Sequence, residues 1–119
     1  MSLPKDYVPA TTYWLTDESG TVYGTIRYRP VLNEYLSRAG GHIGFDVAPR
    51  HRNKGYGSIM LGLLLQKIDR RQNSSLLLTC DTGNIASRSI IEKNGGISEP
   101  GRHSGHNGEP ILRYRIDIA

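Results

Sequence analysis

Arg50-His51-Arg52-Asn53-Lys54 places four cationic or titratable side chains within five residues, and Gly55-Tyr56-Gly57 follows at once. Residues of these types in this order can hold a phosphate. Arginine and lysine supply charge-assisted donors. Glycine lets the backbone approach an anion with no Cβ in the way. An apolar run starts at Ile59, so the loop opens a helix whose first N–H groups lack partners and whose dipole is positive at that end. A solvated basic turn before a helix would have the same composition, so the loop alone leaves both meanings open.

Other residues able to do chemistry point less clearly. Cys80 is the one cysteine of the chain. It allows no disulfide framework and no cysteine-built zinc site, which fits a reducing, cytoplasmic setting. Its place at the end of an apolar strand suits packing better than catalysis. His103, His106 and Glu109 share a loop, but their spacing is too loose for a metal site and no metal is expected. The net charge of +4 over 119 residues attracts anions. Nucleic acid is not expected as a partner, because the main helix is too apolar to face a groove and no stacking platform stands out. The apolar run over 59–65 includes Gly62 and is far too short to cross a bilayer, so no membrane association is expected. Lys5 and Asp6 stand where a secretory signal would need an apolar core.

The elements that must position the loop can be read along the chain. Residues 1–11 hold Pro4 and Pro9 and are expected to form an irregular arm. Residues 12–16 and 21–29 are rich in β-formers around Asp17-Glu18-Ser19-Gly20, which predicts an antiparallel hairpin. Residues 31–38 predict a short helix or turn, broken by Gly40-Gly41. A third strand over 42–47 ends at Pro49. A helix over 56–71, apolar around most of its circumference, should pack deeply and carry Arg70 and Arg71 in its last turn. Residues 76–80 read as a buried strand paired in parallel, so 42–80 forms a β-α-β unit. A helix over 85–94, capped by Gly95-Gly96, a loop over 99–109 and an alternating strand over 111–118 complete one domain, residues 1–119.

Arg52-Asn53-Lys54-Gly55-Tyr56-Gly57 matches the Gln/Arg-x-x-Gly-x-Gly/Ala signature of the GNAT acetyltransferases. Asn84-Ile85-Ala86-Ser87, running on to Glu92-Lys93-Asn94-Gly95, resembles the second signature of that family. The two come in the family's order, separated by one helix and one strand. The resemblance covers about residues 12–118, is carried mainly by the core over 42–96, and looks closest to a short bacterial subgroup.

The resemblance implies an α+β fold in α/β/α layers. Its sheet would be mixed and largely antiparallel around the central β-α-β unit, with the family's N-terminal strand and following helices largely missing. It implies acetyl-CoA as cosubstrate. The acetyl group would pass by direct attack in a ternary complex to a small-molecule or peptide amine. A non-catalytic acyl-CoA-binding module is the alternative. Arg52, Asn53, Lys54, Gly55, Tyr56, Gly57 and Ser58 would clasp the pyrophosphate. Phe45 and Val47 would border a pantetheine arm lying as a pseudo-strand, with Asn84 and Ser87 across from them and Lys93 within reach of phosphate. Many relatives carry a tyrosine at the position of Ile91 to protonate the leaving thiolate, so Tyr114 becomes the candidate acid. His42 or Glu34 becomes the candidate base, with Asp46 behind them. The missing helices would leave the acceptor side open or completed by a second subunit, hence a possible homodimer.

Overall fold

The computed structural model describes residues 8–118, so most of the expected N-terminal arm lies outside the described residues. β1 (Thr11–Thr16) and β2 (Val22–Tyr28) form the predicted hairpin, with Tyr13 opposite Ile26 and an irregularity between Leu15 and Thr16. Asp17 organises its turn. The carboxylate accepts from the Ser19 and Thr21 N–H groups at 2.9 and 3.0 Å and from the Tyr23 hydroxyl at 2.7 Å. Hydrogen bonds from Ser19 and Tyr23 to the charged form hold this carboxyl well below the usual carboxylate range. β3 (Ile43–Val47) adds antiparallel to β2, pairing Phe45 with Ile26.

A second sheet is built on β7 (Pro110–Asp117). β4 (Ser75–Asp81) pairs along one edge of β7, and the two-residue strands β5 (Ile97–Ser98) and β6 (His103–Ser104) pair with it as well. Every ladder among the described residues is antiparallel. The parallel ladder expected between β3 and β4 does not form. The chain before β3 touches β4 only at its start, where Gly41 bridges Leu78 and the His42 N–H donates to the Leu77 carbonyl at 2.8 Å. Gly41 makes that contact possible: at φ +69 it already lies where side chains are strained, and a Cβ would sit 2.4 Å from the Leu77 oxygen.

Among the described residues three α-helices cover the sheets: α1 (Glu34–Arg38), α2 (Tyr56–Lys67) and α3 (Ile85–Lys93). Met60, Leu61 and Leu64 of α2 and Ile91 of α3 are buried with Ile26, Ile43, Leu76, Leu78, Tyr114 and Ile116 in one core. Each such aliphatic side chain contributes about 1.5–3 kcal/mol by leaving water. α2 is not apolar-packed all round, since Ile59 and Leu63 are 52% and 46% exposed. It also stops at Lys67, short of Arg70 and Arg71. Ile68 turns extended, and Asp69 draws the chain into a local turn by accepting from the Arg71 N–H at 2.9 Å.

Strand alternation sets the layers. Tyr114 reaches Glu92 of α3, whereas its neighbour Arg113 donates to the Ser37 and Arg38 carbonyls of α1. α1 and α3 therefore lie on opposite faces of the β4–β7 pair, giving the α/β/α order. α1 is five residues long, and the β1–β3 face that carries Trp14, Thr25 and Asp46 has little cover: Trp14 is 66% exposed.

Candidate functional site

Gly55 begins α2 in the left-handed region, φ +87, with no side chain capping the helix. The first helical bond runs from the Ile59 N–H to the Gly55 carbonyl at 3.1 Å. The N–H groups of Tyr56, Gly57 and Ser58 are thus left without helical partners, at the positive end of the dipole. Asn53 also sits at positive φ, +63, a conformation asparagine tolerates better than most residues. Gly57 packs closely on α3, because a Cβ there would meet the Ile90 Cδ1 tip at 2.4 Å and force that side chain to move. Asn94 staples the two helices, its amide donating to the Ser58 and Ile90 carbonyls at 3.2 and 2.9 Å. Tyr23, held by Asp17, packs on Tyr56 and His51 with ring centroids 4.4 and 4.6 Å apart. In this way the hairpin turn supports the loop.

The free edge of β3 forms the next part. The Arg29 N–H donates to the His42 carbonyl and the Ala48 N–H to the Tyr23 carbonyl. In an antiparallel ladder this alternation directs the His42 C=O, the N–H and C=O groups of Gly44 and Asp46, and the Ala48 N–H toward β2. Those of Ile43, Phe45 and Val47 point the other way, to an edge with no strand beside it. The Val47 carbonyl on that edge accepts from Arg52 Nε at 2.9 Å, and Arg52 also meets the exposed Asp46 at 3.5 Å.

Across from this edge stands α3. Asn84 caps it, its side-chain oxygen accepting from the Ser87 N–H at 3.1 Å. A cleft of about 800 Å³ runs between the two walls and ends on the loop. Among the expected residues it is lined by Phe45, Val47, Arg52, Asn53, Gly55, Tyr56, Gly57, Ser58, Asn84 and Ser87, and by Lys93. Lys54 is not in the lining. His51, Ile85, Ala86, Ser89 and Ile90 join it without having been singled out. Ala86, Ser89, Ile90 and Lys93 follow one another at i, i+3, i+4 and i+7, so counting back from Lys93 along one face of that helix would have found them.

Of the candidate acids and bases only Asp46 lines the cleft, exposed and 3.5 Å from Arg52. His42 sits at the junction of β3 and β4, where its Nδ1 accepts from the Leu77 N–H at 2.9 Å. Its neutral form must then carry the proton on Nε2, which leaves no free lone pair for a base. Burial, with Arg115 nearby, lowers its pKa from the usual 6.5. Glu34 is exposed at the start of α1, on the opposite face of the β4–β7 pair from α3. Tyr114 is buried, donates its hydroxyl to Glu92 at 2.5 Å, and has its pKa raised by burial and by that bond. Ile91 fills the core and does not line the cleft. Burial pushes the Cys80 thiol up as well. Among the described residues no three His, Cys, Asp or Glu side chains are grouped to hold a metal. His106 instead stacks on Tyr35 at 3.4 Å and bonds the Ala39 carbonyl, while His103 reaches the Pro100 carbonyl.

Residues 3–96 match the family model described as the acetyltransferase (GNAT) family. Solved structures with a similar fold include three N-acetyltransferases or acetyltransferases of bacteria. Spermidine N-acetyltransferase from Vibrio cholerae, in complex with CoA and spermine, is 17% identical, with 92% of this chain and 66% of that chain covered and a TM-score of 0.69. A ribosomal-protein alanine acetyltransferase from Vibrio fischeri is 18% identical over 92% of this chain and 62% of its own, with a TM-score of 0.73. The corresponding enzyme from Brucella melitensis is 20% identical over 90% and 68%, with a TM-score of 0.69. No protein of curated function matches the sequence.

Proposed function

The chain belongs to the GNAT acetyltransferase family, and on that premise we propose that it transfers an acetyl group from acetyl-CoA to an amine by direct attack in a ternary complex. One observation carries the proposal: the unpaired edge of β3 faces a cleft that ends on the unpaired N–H groups at the start of α2. The pyrophosphate fits those N–H groups, with Arg52 and Lys93 adding charge. The pantetheine arm fits the edge of Ile43, Phe45 and Val47 as an added strand. An N–H on the same edge would polarise the thioester carbonyl as it gains charge.

Positioning then supplies most of the rate. Deprotonation of the amine falls to water, to Asp46 in the cleft lining or to Glu34 on the α1 side, because His42 has no lone pair to offer. The exposed Trp14 face supports a homodimer, which sedimentation would detect as a doubled mass. The lone Cys80 supports a cytoplasmic setting.

Calorimetry with coenzyme A and thiol release from acetyl-CoA over a panel of amines test the proposal. We expect micromolar binding and amine-dependent release. Changing Arg52 and Lys93 together to glutamine should weaken binding about tenfold; unchanged affinity would remove the phosphate assignment. His42 and Tyr114 stand outside the cleft, and Asp46, the one carboxylate in its lining, is paired with Arg52; this favours a second reading, an acyl-CoA-binding module. Tight binding without release on any amine would select it.

A further inference from the structure

On the face opposite α3, a second cleft of about 350 Å³ opens between the end of α1, β6 and β7. Arg38, Arg102, His103, Ser104, Gly105 and Arg113 line it, and no carboxylate does. Arg113 is already anchored. Its Nε reaches Glu99 at 3.0 Å, and its Nη1 donates to the Ser37 and Arg38 carbonyls at 2.6 and 2.8 Å. Glu99 is shared further with Arg115 at 2.9 Å, so it has little charge left for the cleft. Neither Arg38 nor Arg102 makes an ion pair or side-chain hydrogen bond among the described residues. Glu99 offsets Arg113 and the Glu109 carboxylate lies against Gly105, so the positive potential of the concavity rests on Arg38 and Arg102, whose planar donors match carboxylate and phosphate oxygens.

The place of this cleft connects it to the reaction. Arg113 stands opposite Thr79 in the β4–β7 ladder. The Thr79 hydroxyl accepts from the Gly40 N–H at 2.8 Å, next to the Gly41–Leu78 bridge. That bridge is where the chain entering β3 leaves β4. The free edge of β3, which walls the donor cleft at Phe45 and Val47, begins at this junction, and the arginine cleft sits on the α1 side of the same β4–β7 pair.

We propose that the arginine cleft binds an anionic group of the acceptor, so that the acceptor is a small amine that also carries a carboxylate or a phosphate. This rests on the acetyl-transfer reading above. A polyamine is disfavoured, because its cations would face Arg38 and Arg102.

Two measurements decide the matter. In the first, protein saturated with coenzyme A is titrated with inorganic phosphate and, separately, with acetate, while the arginine Nε resonances are followed by NMR. The Arg38, Arg102 and Arg113 resonances should move, and Arg38→Gln with Arg102→Gln should weaken the response still read at Arg113 about tenfold. Phosphate alone moving them names a phosphate-bearing acceptor; both probes moving them names the wider anionic class. No movement with either probe overturns the proposal.

In the second, thiol release from acetyl-CoA compares matched pairs: an amino acid with its decarboxylated amine, an aminoalkyl phosphate with its amino alcohol, and spermidine. The anionic member should have the lower KM, and the double variant should raise that KM about tenfold with a smaller change in kcat. Preference for spermidine or for the neutral amine also overturns it. Failure to bind coenzyme A would sink the acetyl-transfer reading instead, and phosphate titration of the free protein would still decide whether the arginine cleft binds anions.

Discussion

The Leu77 N–H donates to Nδ1 of His42 at 2.9 Å while the Leu77 carbonyl accepts from the His42 N–H at 2.8 Å, a two-way clasp where β3 and β4 part. The clasp requires a neutral imidazole. Burial lowers the His42 pKa from 6.5, so below that value the unfolded chain binds a proton that the folded chain resists. Its stability contribution is complete above the unfolded pKa and is lost as pH falls toward and through the folded one. His42→Asn keeps an acceptor but does not titrate. Thermal unfolding across about pH 7 to 5 should therefore show a shallower loss for the variant; parallel curves would refute the linkage.

Gly41 should tolerate no side chain. Gly41→Ala combines a positive φ with a contact on the Leu77 carbonyl, and we expect a loss of about 3 kcal/mol or more in urea unfolding. Gly20 has the same handedness but open space around it, so Gly20→Ala should cost only about 1 kcal/mol. Equal costs at the two sites would mean that backbone strain alone matters.

Arg52 holds the end of β3 through the Val47 carbonyl as well as facing the cleft. Because the pair with Asp46 is exposed, Arg52→Ala should change stability by less than about 1 kcal/mol. Coenzyme A affinity should still fall about tenfold by calorimetry, with Arg52→Lys recovering only part of it, since an ammonium cannot present the guanidinium fork. Full recovery by lysine would show that point charge is enough.

Tyr114→Phe tests the candidate acid. The hydroxyl is buried against Glu92 and outside the cleft lining. Its removal should lower stability by about 1–3 kcal/mol, leaving Glu92 short of a partner, while amine-dependent thiol release stays within about twofold. A loss of a hundredfold or more in kcat would restore Tyr114 as the proton donor.

Much of the frame was legible because its signals are local. The hairpin around Asp17, the break at Gly40-Gly41, the loop before α2 and the Asn84 cap each depend on residues a few positions apart. The end of α2 was misread because dipole logic favoured Arg70 and Arg71, while Asp69 offered the backbone a competing turn. Parallel pairing of β4 was expected from its apolar run. That run is equally satisfied by β7 on one edge and by packing on both faces, which periodicity cannot distinguish.

By itself the sequence determined the loop and helix start at the end of the cleft: glycine, charge and a helix start within eight residues make a candidate phosphate cradle, since the groups it would use belong to the backbone of one short segment. Only the tertiary structure decided the rest. It set which edge of β3 is free, that the His42 lone pair is spent on Leu77, and that Arg38, Arg102 and Arg113 meet around one cleft. These are consequences of strand register and of elements far apart in the chain, where a single residue of slip would turn each side chain to the other face.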